Sequence, residues 1–457
     1  MPAWRNPHLT SFSRALPEFR SRRRTPREFL EHCVDAIGKR DKRVRAFVTL
    51  DLRAARKSAD ASTRRYKSGQ PLSPIDGCPI AIKDIIATAD MPTQMNSPLY
   101  KGWRPKYDAA CVTALRQAGA VIIGKTVTTE FAFGRSGPTT NPFDPKRTPG
   151  GSSSGSAAAV AAGMVPAALG TQTVGSILRP ASYCGVVGFK PTIGTLHSGG
   201  IHLLSVTCDH LGVIASTIED AWHVVSQVSL GIGSPGIGFL PGAGAEPPAA
   251  HQPRKLFRLY TRGWKEIDNE TRNAFDTALD RLRARGVEIT SRDDDRALAE
   301  FEEQLESGIE DALRIVAYES KWPYADYIAR YPKLVGPRIH ELVDRARGMS
   351  PPDYEALLAN RHRMQQIATA RLAHCDGLIT LASSGPAPVG LVETGSRTFA
   401  SYASWLGLPA FSLPLMAVKE LPVGIQLIGR AGADAALFAV ARWMVQDPLD
   451  ADPIQTK

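Results

Sequence analysis

One stretch rich in glycine, serine and alanine constrains the fold of this chain more than any other. Residues 148–163 read TPGGSSSGSAAAVAAG. Glycine permits tight turns and close backbone approach because it has no Cβ, and the run of alanines predicts a helix that packs closely on its neighbours. Such a stretch is compatible with a phosphate-binding loop, a flexible linker or one wall of a serine-based active site.

Two of these three alternatives match the residues poorly. A phosphate-binding loop usually closes with lysine followed by serine or threonine, whereas Gly150 and Gly151 are followed by three serines and no lysine. A linker would continue into polar sequence, but this stretch runs into the alanines between Ala157 and Ala162. The residues therefore favour the wall of an active site.

A second serine lies downstream, in the segment GTQTVGSILRPA of residues 170–181. Gly175 before Ser176 permits a tight turn whose N–H groups can converge on an oxyanion. A serine nucleophile needs a base, and Lys83 ends an apolar run in which burial would favour its neutral form. Histidine is the usual base, but none near this segment lies in a triad signature, and there is no GxSxG elbow. The nearest histidines are His197, His202, His210 and His223.

Strand-like and helical segments alternate along the chain. The sequence Thr25-Pro26-Arg27-Glu28 predicts a capped helix start, and Thr217 with Asp220 predicts another. Apolar patterns predict strands at 77–83, 120–124, 256–260 and 287–290, and helices around 112–118, 157–162 and 275–282. This alternation is typical of α/β proteins. Residues 231–254, rich in glycine and proline, have the least regular pattern, and a loop of that length is usually functional or mobile.

Charge and cysteine usage narrow the class of protein. The net charge is +10, with much of the excess between residues 20 and 45; these cations flank or lie on a predicted amphipathic helix, which favours a solvated face and disfavours a nucleic-acid partner. No apolar run of eighteen residues occurs and the first residues lack the order of a secretory signal, so we expect no membrane span. Six widely spaced cysteines without a CxxC pair predict no metal site and a reduced, cytoplasmic protein.

The segment from Pro149 to Thr192 resembles the signature region of the amidase signature family. It contains GGSSSG at 150–155, GS at 175–176 and CGVVGFKPT at 184–192. The segment GCPIAIKD at 77–84 resembles the family's lysine strand, and TEFAFG at 129–134 resembles the segment that precedes its signature. LGLPA at 406–410 and LPVGIQLIG at 421–429 are similar to its C-terminal sheet. The resemblance extends over most of residues 25–445 and is weakest over 231–375.

The resemblance implies a fold and a division of the chain. The expected fold is α/β, a single large domain whose mixed, mostly parallel central sheet is covered by helices on both faces. Residues 1–70 are expected to form an N-terminal helical region that packs on the core. Residues 71–457 would be the catalytic domain, with 231–375 as its most variable part in the same architecture.

The resemblance also implies a Ser–Ser–Lys triad. Its lysine matches Lys83, its bridging serine matches Ser152, and its nucleophile matches Ser176, which lies 24 residues after Ser152 as in the family. A cis peptide is expected at Ser152. The backbone N–H groups of 173–176 (Thr173, Val174, Gly175 and Ser176) would stabilise the oxyanion, and no metal or cofactor is needed.

The chain departs from the family's commonest pattern beside the nucleophile. Gln172 stands where Asp is usual, Val174 where Gly is usual and Leu178 where Arg is usual, with Arg179 one position later. Valine restricts the backbone conformation at position 174 more than glycine does, but it retains the backbone N–H. We therefore expect catalysis with a different hydrogen-bond arrangement behind the nucleophile.

Three functions follow from these observations. The first is an amidase that hydrolyses a small carboxamide to an acid and ammonia or an amine. The second is an amidotransferase-type subunit that releases ammonia from glutamine for a partner, and the third is a non-catalytic binding protein on the same fold. Phe131 and Tyr183 are candidate substrate contacts, together with Phe133 and Trp405, although aromatic residues at this density more often belong to the core. Dimers are common in the family, so a homodimer is compatible with the resemblance.

Overall fold

The centre of the protein is one twisted sheet, which contains eleven strands in the part of the chain that the computed structural model describes, residues 4–234 and 237–446. In chain order they are β1 (Phe47–Leu50), β2 (Pro79–Lys83), β3 (Val121–Thr126), β4 (Ala167–Gln172), β5 (Val187–Lys190), β6 (His210–Ala215), β7 (Lys255–Arg258), β8 (Glu288–Thr290), β9 (Leu378–Leu381), β10 (Ala410–Val418) and β11 (Leu421–Ile428). Their spatial order is β1-β3-β2-β4-β6-β5-β10-β11-β9-β7-β8.

The direction of the strands corrects one expectation. A mixed sheet is confirmed, but within the described residues only the pairings β2–β3, β2–β4, β7–β9 and β7–β8 are parallel, and the other six are antiparallel. The expectation of a mostly parallel sheet is therefore wrong. A continuous apolar run shows that both faces of a strand are buried and does not report its direction. The connections set the direction: β10 turns into β11 through Lys419 and Glu420, both with positive φ, as in a two-residue hairpin.

Helices cover both faces of the sheet, as expected. In chain order they are α1 (Phe12–Arg20), α2 (Pro26–Val44), α3 (Leu52–Lys67), α4 (Ala110–Gln117), α5 (Ser154–Ala161), α6 (Leu178–Tyr183), α7 (Ile218–Ile232), α8 (Asn269–Ala284), α9 (Arg296–Gln304), α10 (Gly308–Glu319), α11 (Lys321–Arg330), α12 (Pro337–Arg345), α13 (Pro351–Leu372), α14 (Ser401–Trp405) and α15 (Asp434–Val445). Successive side chains of a strand point to opposite faces. Accordingly, Ile80 and Ile82 belong to one hydrophobic core and Ala81 to a second core on the other face.

Local signals for helix starts are confirmed. Thr25 and Glu28 form both hydrogen bonds of a capping box at the start of α2. Thr217 caps α7 by accepting a hydrogen bond from the backbone N–H of Asp220. These signals are reliable because donor and acceptor lie within three residues of each other.

The N-terminal segment adds more than helices to the structure. Helices α1, α2 and α3 occupy it, but β1 lies between α2 and α3 and pairs antiparallel with β3 at the sheet edge. Asp220 in α7 accepts hydrogen bonds from the backbone N–H and Oγ of Ser13 at 2.8 and 2.7 Å. The division of the chain at residue 70 stays a prediction.

The segment 231–375 extends the same sheet, since β7 pairs with β9 and β8. Of the glycine-rich loop at 231–254, residues 235–236 lie outside the described residues, as do 1–3 and 447–457 at the two ends of the chain; residues 237–254 contain neither helix nor strand. Among the described helices, none combines the length and apolar character that crossing a membrane requires. All six cysteines are unpaired.

Candidate active site

The glycine-serine stretch leads into α5, a helix whose every residue is buried. A Cβ at Gly155 would lie 2.3 Å from Ala46 O and 2.5 Å from Val127 N, so the helix start approaches two backbone segments more closely than any side chain allows. The peptide bond between Gly151 and Ser152 is cis, as expected. The glycines thus bring Ser152 against the ends of the central strands.

Lys83 ends β2 and contacts Ser152 directly. Its Nζ lies 2.7 Å from Ser152 Oγ and 2.8 Å from Thr171 Oγ1, and its side chain is fully buried. Burial lowers the pKa of Lys83 to about 7, although the charge of Asp209 acts in the opposite direction. Lys83 has no carboxylate within 4.0 Å among the described residues, so a neutral amine is accessible near neutral pH.

Ser176 lies in the turn between β4 and α6, next to Ser153. The backbone N–H of Ser153 donates to Ser176 O at 3.3 Å, which holds the two serine segments side by side. Gly175 has φ +135°, a conformation that favours glycine. Within the described part of the chain, Ser176 Oγ has no hydrogen-bond partner, so the structure shows the Lys83–Ser152 contact but no bond between the two serine hydroxyls.

The N–H groups beside the nucleophile are unengaged. Those of Val174, Gly175 and Ser176 have no acceptor among the described residues. The carbonyl of Val174 accepts a hydrogen bond from Ser401 Oγ at 3.0 Å, which fixes the peptide plane that follows it. Val174 keeps its N–H as expected, and its side chain is buried.

The side-chain amide of Gln172 stabilises the turn that contains Ser176. Its Oε1 accepts hydrogen bonds from the N–H groups of Ile177 and Leu178 at 2.9 and 3.0 Å, and its Nε2 donates to Ser404 Oγ at 2.9 Å. These N–H groups open α6 and have no partner within the helix. The uncharged amide therefore links the start of α6 to α14, in an environment where Leu178 is fully buried.

Arg179 lies on the other side of the same turn. Its Nη2 donates to Gly151 O at 2.6 Å and to Thr394 Oγ1 at 3.0 Å. Its side chain is buried, and Nε and Nη1 have no hydrogen-bond partner within the described residues. Burial and the nearby charge of Arg397 lower the pKa of Arg179 to about 10. Arg179 thus holds the carbonyl of the peptide that leads into Ser152.

Asp209 is a residue of this region that the sequence analysis missed. Its Oδ1 accepts a hydrogen bond from Thr173 Oγ1 at 2.6 Å, and its Oδ2 accepts from the N–H groups of Leu204 and Ser205. Asp209 comes directly before β6, which pairs with β4. The sequence shows only a polar residue directly before an apolar segment. The pairing of β6 with β4 is what places Asp209 beside Thr173.

The candidate substrate contacts lie in packed surroundings. Phe131 is fully buried, with its ring centroid 5.2 Å from that of Tyr324. Tyr183 is 1% exposed, and a Cβ at Gly395 would lie 2.3 Å from its hydroxyl. Trp405 is fully buried as well. Contact of Phe131 or Tyr183 with substrate stays a prediction.

The histidines considered as bases are engaged elsewhere. His210 Nδ1 lies 2.7 Å from Cys208 O, and His223 Nδ1 lies 3.1 Å from Ser13 Oγ. His197 Nδ1 accepts a hydrogen bond from the backbone N–H of Gly199. Burial lowers the pKa of His202 to about 4. Among the described contacts, none joins these histidines to Lys83, Ser152 or Ser176.

A cavity of about 410 Å³ is lined by Phe133, Arg397 and Thr398 on one side and by residues of α10 and α12 on the other. Four arginines line it: Arg262, Arg338, Arg345 and Arg397. These arginines carry no sequence signal of a common site because they are scattered over 136 residues without a motif.

Known proteins with similar sequences and structures identify the family of the chain. A family model described as Amidase matches residues 28–438. A glutamyl-tRNA(Gln) amidotransferase subunit of Anaeromyxobacter sp. (strain K) is 31% identical, over 93% of this chain and 94% of that protein. The corresponding protein of Chloroflexus aggregans is 44% identical, but the match covers only 44% of this chain and 43% of that protein's length. A solved crystal structure of an amidase, 29% identical, superposes with a TM-score of 0.82 over 95% of this chain and 99% of its own. The match of the family model over nearly the whole chain shows that the protein belongs to the amidase family.

Proposed function

We propose that the protein cleaves the C–N bond of a carboxamide through an acyl-enzyme on Ser176, with Lys83 as base and Ser152 as proton carrier. The observation that supports this most is the 2.7 Å contact between Lys83 Nζ and Ser152 Oγ at a fully buried site. A buried lysine with a pKa of about 7 is neutral in a large fraction of molecules at neutral pH. Only the neutral amine can accept a proton.

The proposed first half of the reaction forms the acyl-enzyme. Lys83 takes the hydroxyl proton of Ser152, and Ser152 takes that of Ser176 while Ser176 Oγ bonds to the carbonyl carbon. The carbonyl electron pair moves to oxygen, where the N–H groups of 173–176 would stabilise the charge. The C–N bond then breaks, and the proton on Lys83 returns through Ser152 to the leaving nitrogen.

The second half releases the acid. Water gives a proton to the same relay and attacks the ester carbon, and the Ser176 C–O bond breaks as the proton returns to Ser176 Oγ. The products are a carboxylic acid and ammonia or an amine. Because Ser176 Oγ has no partner among the described residues, it can turn toward Ser152 without breaking another hydrogen bond.

The relatives support a second candidate, an amidotransferase subunit that releases ammonia from glutamine for a partner. Curated relatives that match the chain are subunits of glutamyl-tRNA(Gln) amidotransferases, and these favour the second candidate over hydrolysis of a free amide. The two candidates share the chemistry at Ser176 and differ in substrate and partner. Ammonia release by the isolated chain from small amides supports the first; release from glutamine only in the presence of a partner supports the second.

Covalent labelling tests the chemistry that both candidates share. We expect a fluorophosphonate to modify Ser176, identified by mass spectrometry of the labelled peptide. Ser176→Ala should abolish labelling, and Lys83→Met should slow it at least about 100-fold, since a serine without its base is a weak nucleophile. Lys39→Met is the matched control because Lys39 is exposed on α2 and lies more than 40 residues from Lys83, Ser152 and Ser176 in the chain. An unlabelled Ser176 in protein with native circular dichroism would contradict the proposal and favour the binding-protein hypothesis.

A further inference from the structure

Among the described residues that line the arginine-lined cavity, Arg397 is the one half-buried cation without an ion pair. Arg397 has no carboxylate within 4.0 Å among the described residues, and its guanidinium carbon lies 5.3 Å from the centre of the Phe133 ring. A guanidinium in that position is attracted by the ring face, but the ring neutralises none of its charge. Arg397 is therefore able to bind an anion.

The other charged groups of the cavity are paired or solvated. Arg345 Nη1 lies 2.6 Å from Glu310 Oε1, and Arg338 contacts Glu393. Glu266 Oε2 accepts hydrogen bonds from Ser396 Oγ and Thr398 Oγ1 at 2.7 and 2.9 Å. Two further lining residues, Arg262 and Glu341, are exposed to solvent.

Arg397 lies close to the turn that carries the nucleophile. A Cβ built on Gly175 would lie 3.9 Å from Arg397 Cβ and 3.8 Å from Arg179 Nη1. Ser401 Oγ donates to both Arg397 O at 2.8 Å and Val174 O at 3.0 Å, which ties the two backbones together. Gly175, the residue before Ser176, thus lies close to Nη1 of Arg179 and to the Cβ of Arg397. The pKa of both arginines is lowered by burial and by neighbouring arginines.

On the basis of the proposed function, we propose that the substrate is a small carboxamide that also carries a carboxylate, and that this carboxylate binds Arg397. A carboxylate matches the planar donor set of arginine and lowers the repulsion between Arg397 and Arg179. A free α-amino group, which is protonated near neutral pH, would add a third cation to these two guanidinium groups. The site is therefore expected to prefer ω-amides of simple dicarboxylic acids to glutamine.

The test compares amides that differ only in charge. Ammonia release is measured for glutaramate and succinamate, for their uncharged isosteres 5-methylhexanamide and 4-methylpentanamide, and for glutamine, which is glutaramate with an α-ammonium. We expect kcat/KM for the better of the two carboxylates to exceed that of its isostere by about 10- to 100-fold, the range typical of a hydrogen bond to a charged group.

Substitutions assign the preference to Arg397. Arg397→Met should lower the ratio of kcat/KM between carboxylate and isostere by about 10- to 100-fold, and Arg397→Lys should restore part of it. Arg345→Met is the matched control in the same cavity, and it should change the ratio much less because Arg345 already pairs with Glu310. An unchanged ratio in Arg397→Met, or equal rates for carboxylate and isostere, would overturn the inference and leave the proposed function intact.

Binding to a variant without the nucleophile tests the carboxylate site independently of catalysis. In Ser176→Ala, calorimetric titration with glutaramate and succinamate should show binding of at least one, and Arg397→Met in that background should abolish it. Binding without hydrolysis or labelling in the native chain would support the anion site and contradict the proposed function. Absence of binding to Ser176→Ala, or preference for glutamine over glutaramate, would overturn the inference; the latter would favour the amidotransferase candidate.

Discussion

The protonation of Lys83 should control reactivity near neutral pH. With a pKa of about 7, about one tenth of the molecules hold neutral Lys83 at pH 6 and about nine tenths at pH 8. If neutral Lys83 is the base, the rate of Ser176 labelling rises about tenfold between these pH values and levels off above them. The labelling rate falls as pH falls through the pKa of Lys83, because a base acts only in its unprotonated form.

Asp209 provides a way to move that midpoint. Its negative charge raises the pKa of Lys83, so Asp209→Asn should lower that pKa and shift the midpoint to lower pH. The asparagine Oδ1 can still accept the hydrogen bond from Thr173 Oγ1, so the turn keeps its contact. The ratio of the labelling rate at pH 6 to that at pH 8 should therefore be higher in Asp209→Asn than in the native chain.

The assay is the second-order rate of fluorophosphonate labelling from pH 5 to pH 9, which needs no knowledge of the substrate. Asp268→Asn serves as control, since Asp268 caps α8 on the surface. A labelling rate that falls as pH rises through 7 would refute Lys83 as the base. An identical midpoint in Asp209→Asn and the native chain would refute the electrostatic coupling between Asp209 and Lys83.

Two further predictions concern residues that support the site. Gln172→Leu leaves the N–H groups of Ile177 and Leu178 without their acceptor. It should therefore lower the free energy of unfolding by about 1–3 kcal/mol and slow Ser176 labelling. Unchanged stability in urea unfolding would contradict this role of Gln172. Gly155→Ala places a methyl group 2.3 Å from Ala46 O and should lower the free energy of unfolding by about 1–3 kcal/mol or more. Gly348→Ala is the control for the backbone cost alone, because Gly348 has a positive φ but no atom within 4 Å of an added Cβ. Equal losses of stability in the two variants would contradict close packing at α5.

Local sequence patterns predicted the elements that depend on near neighbours. The capping box at Thr25 and Glu28, the apolar strand ending in Lys83 and the alanine helix α5 are all present where the sequence indicated them. Each depends on residues within a few positions of each other, or on the solvent exposure of one short segment. Such patterns report propensity and burial directly.

Pairing across the sheet could not be read from the same patterns. The contact of Thr173 with Asp209 joins residues 36 positions apart in the chain, and the proximity of Arg397 to Gly175 joins residues 222 positions apart. The directions of the strands likewise depend on how the chain connects them. Buried strands of either direction have the same apolar composition when helices cover both faces. Arginines without a motif indicate a solvated surface until the fold closes a cavity around them. Short-range composition therefore predicted the elements and the resemblance to a family, while long-range packing brought together the arginines that we propose as the basis of substrate selection.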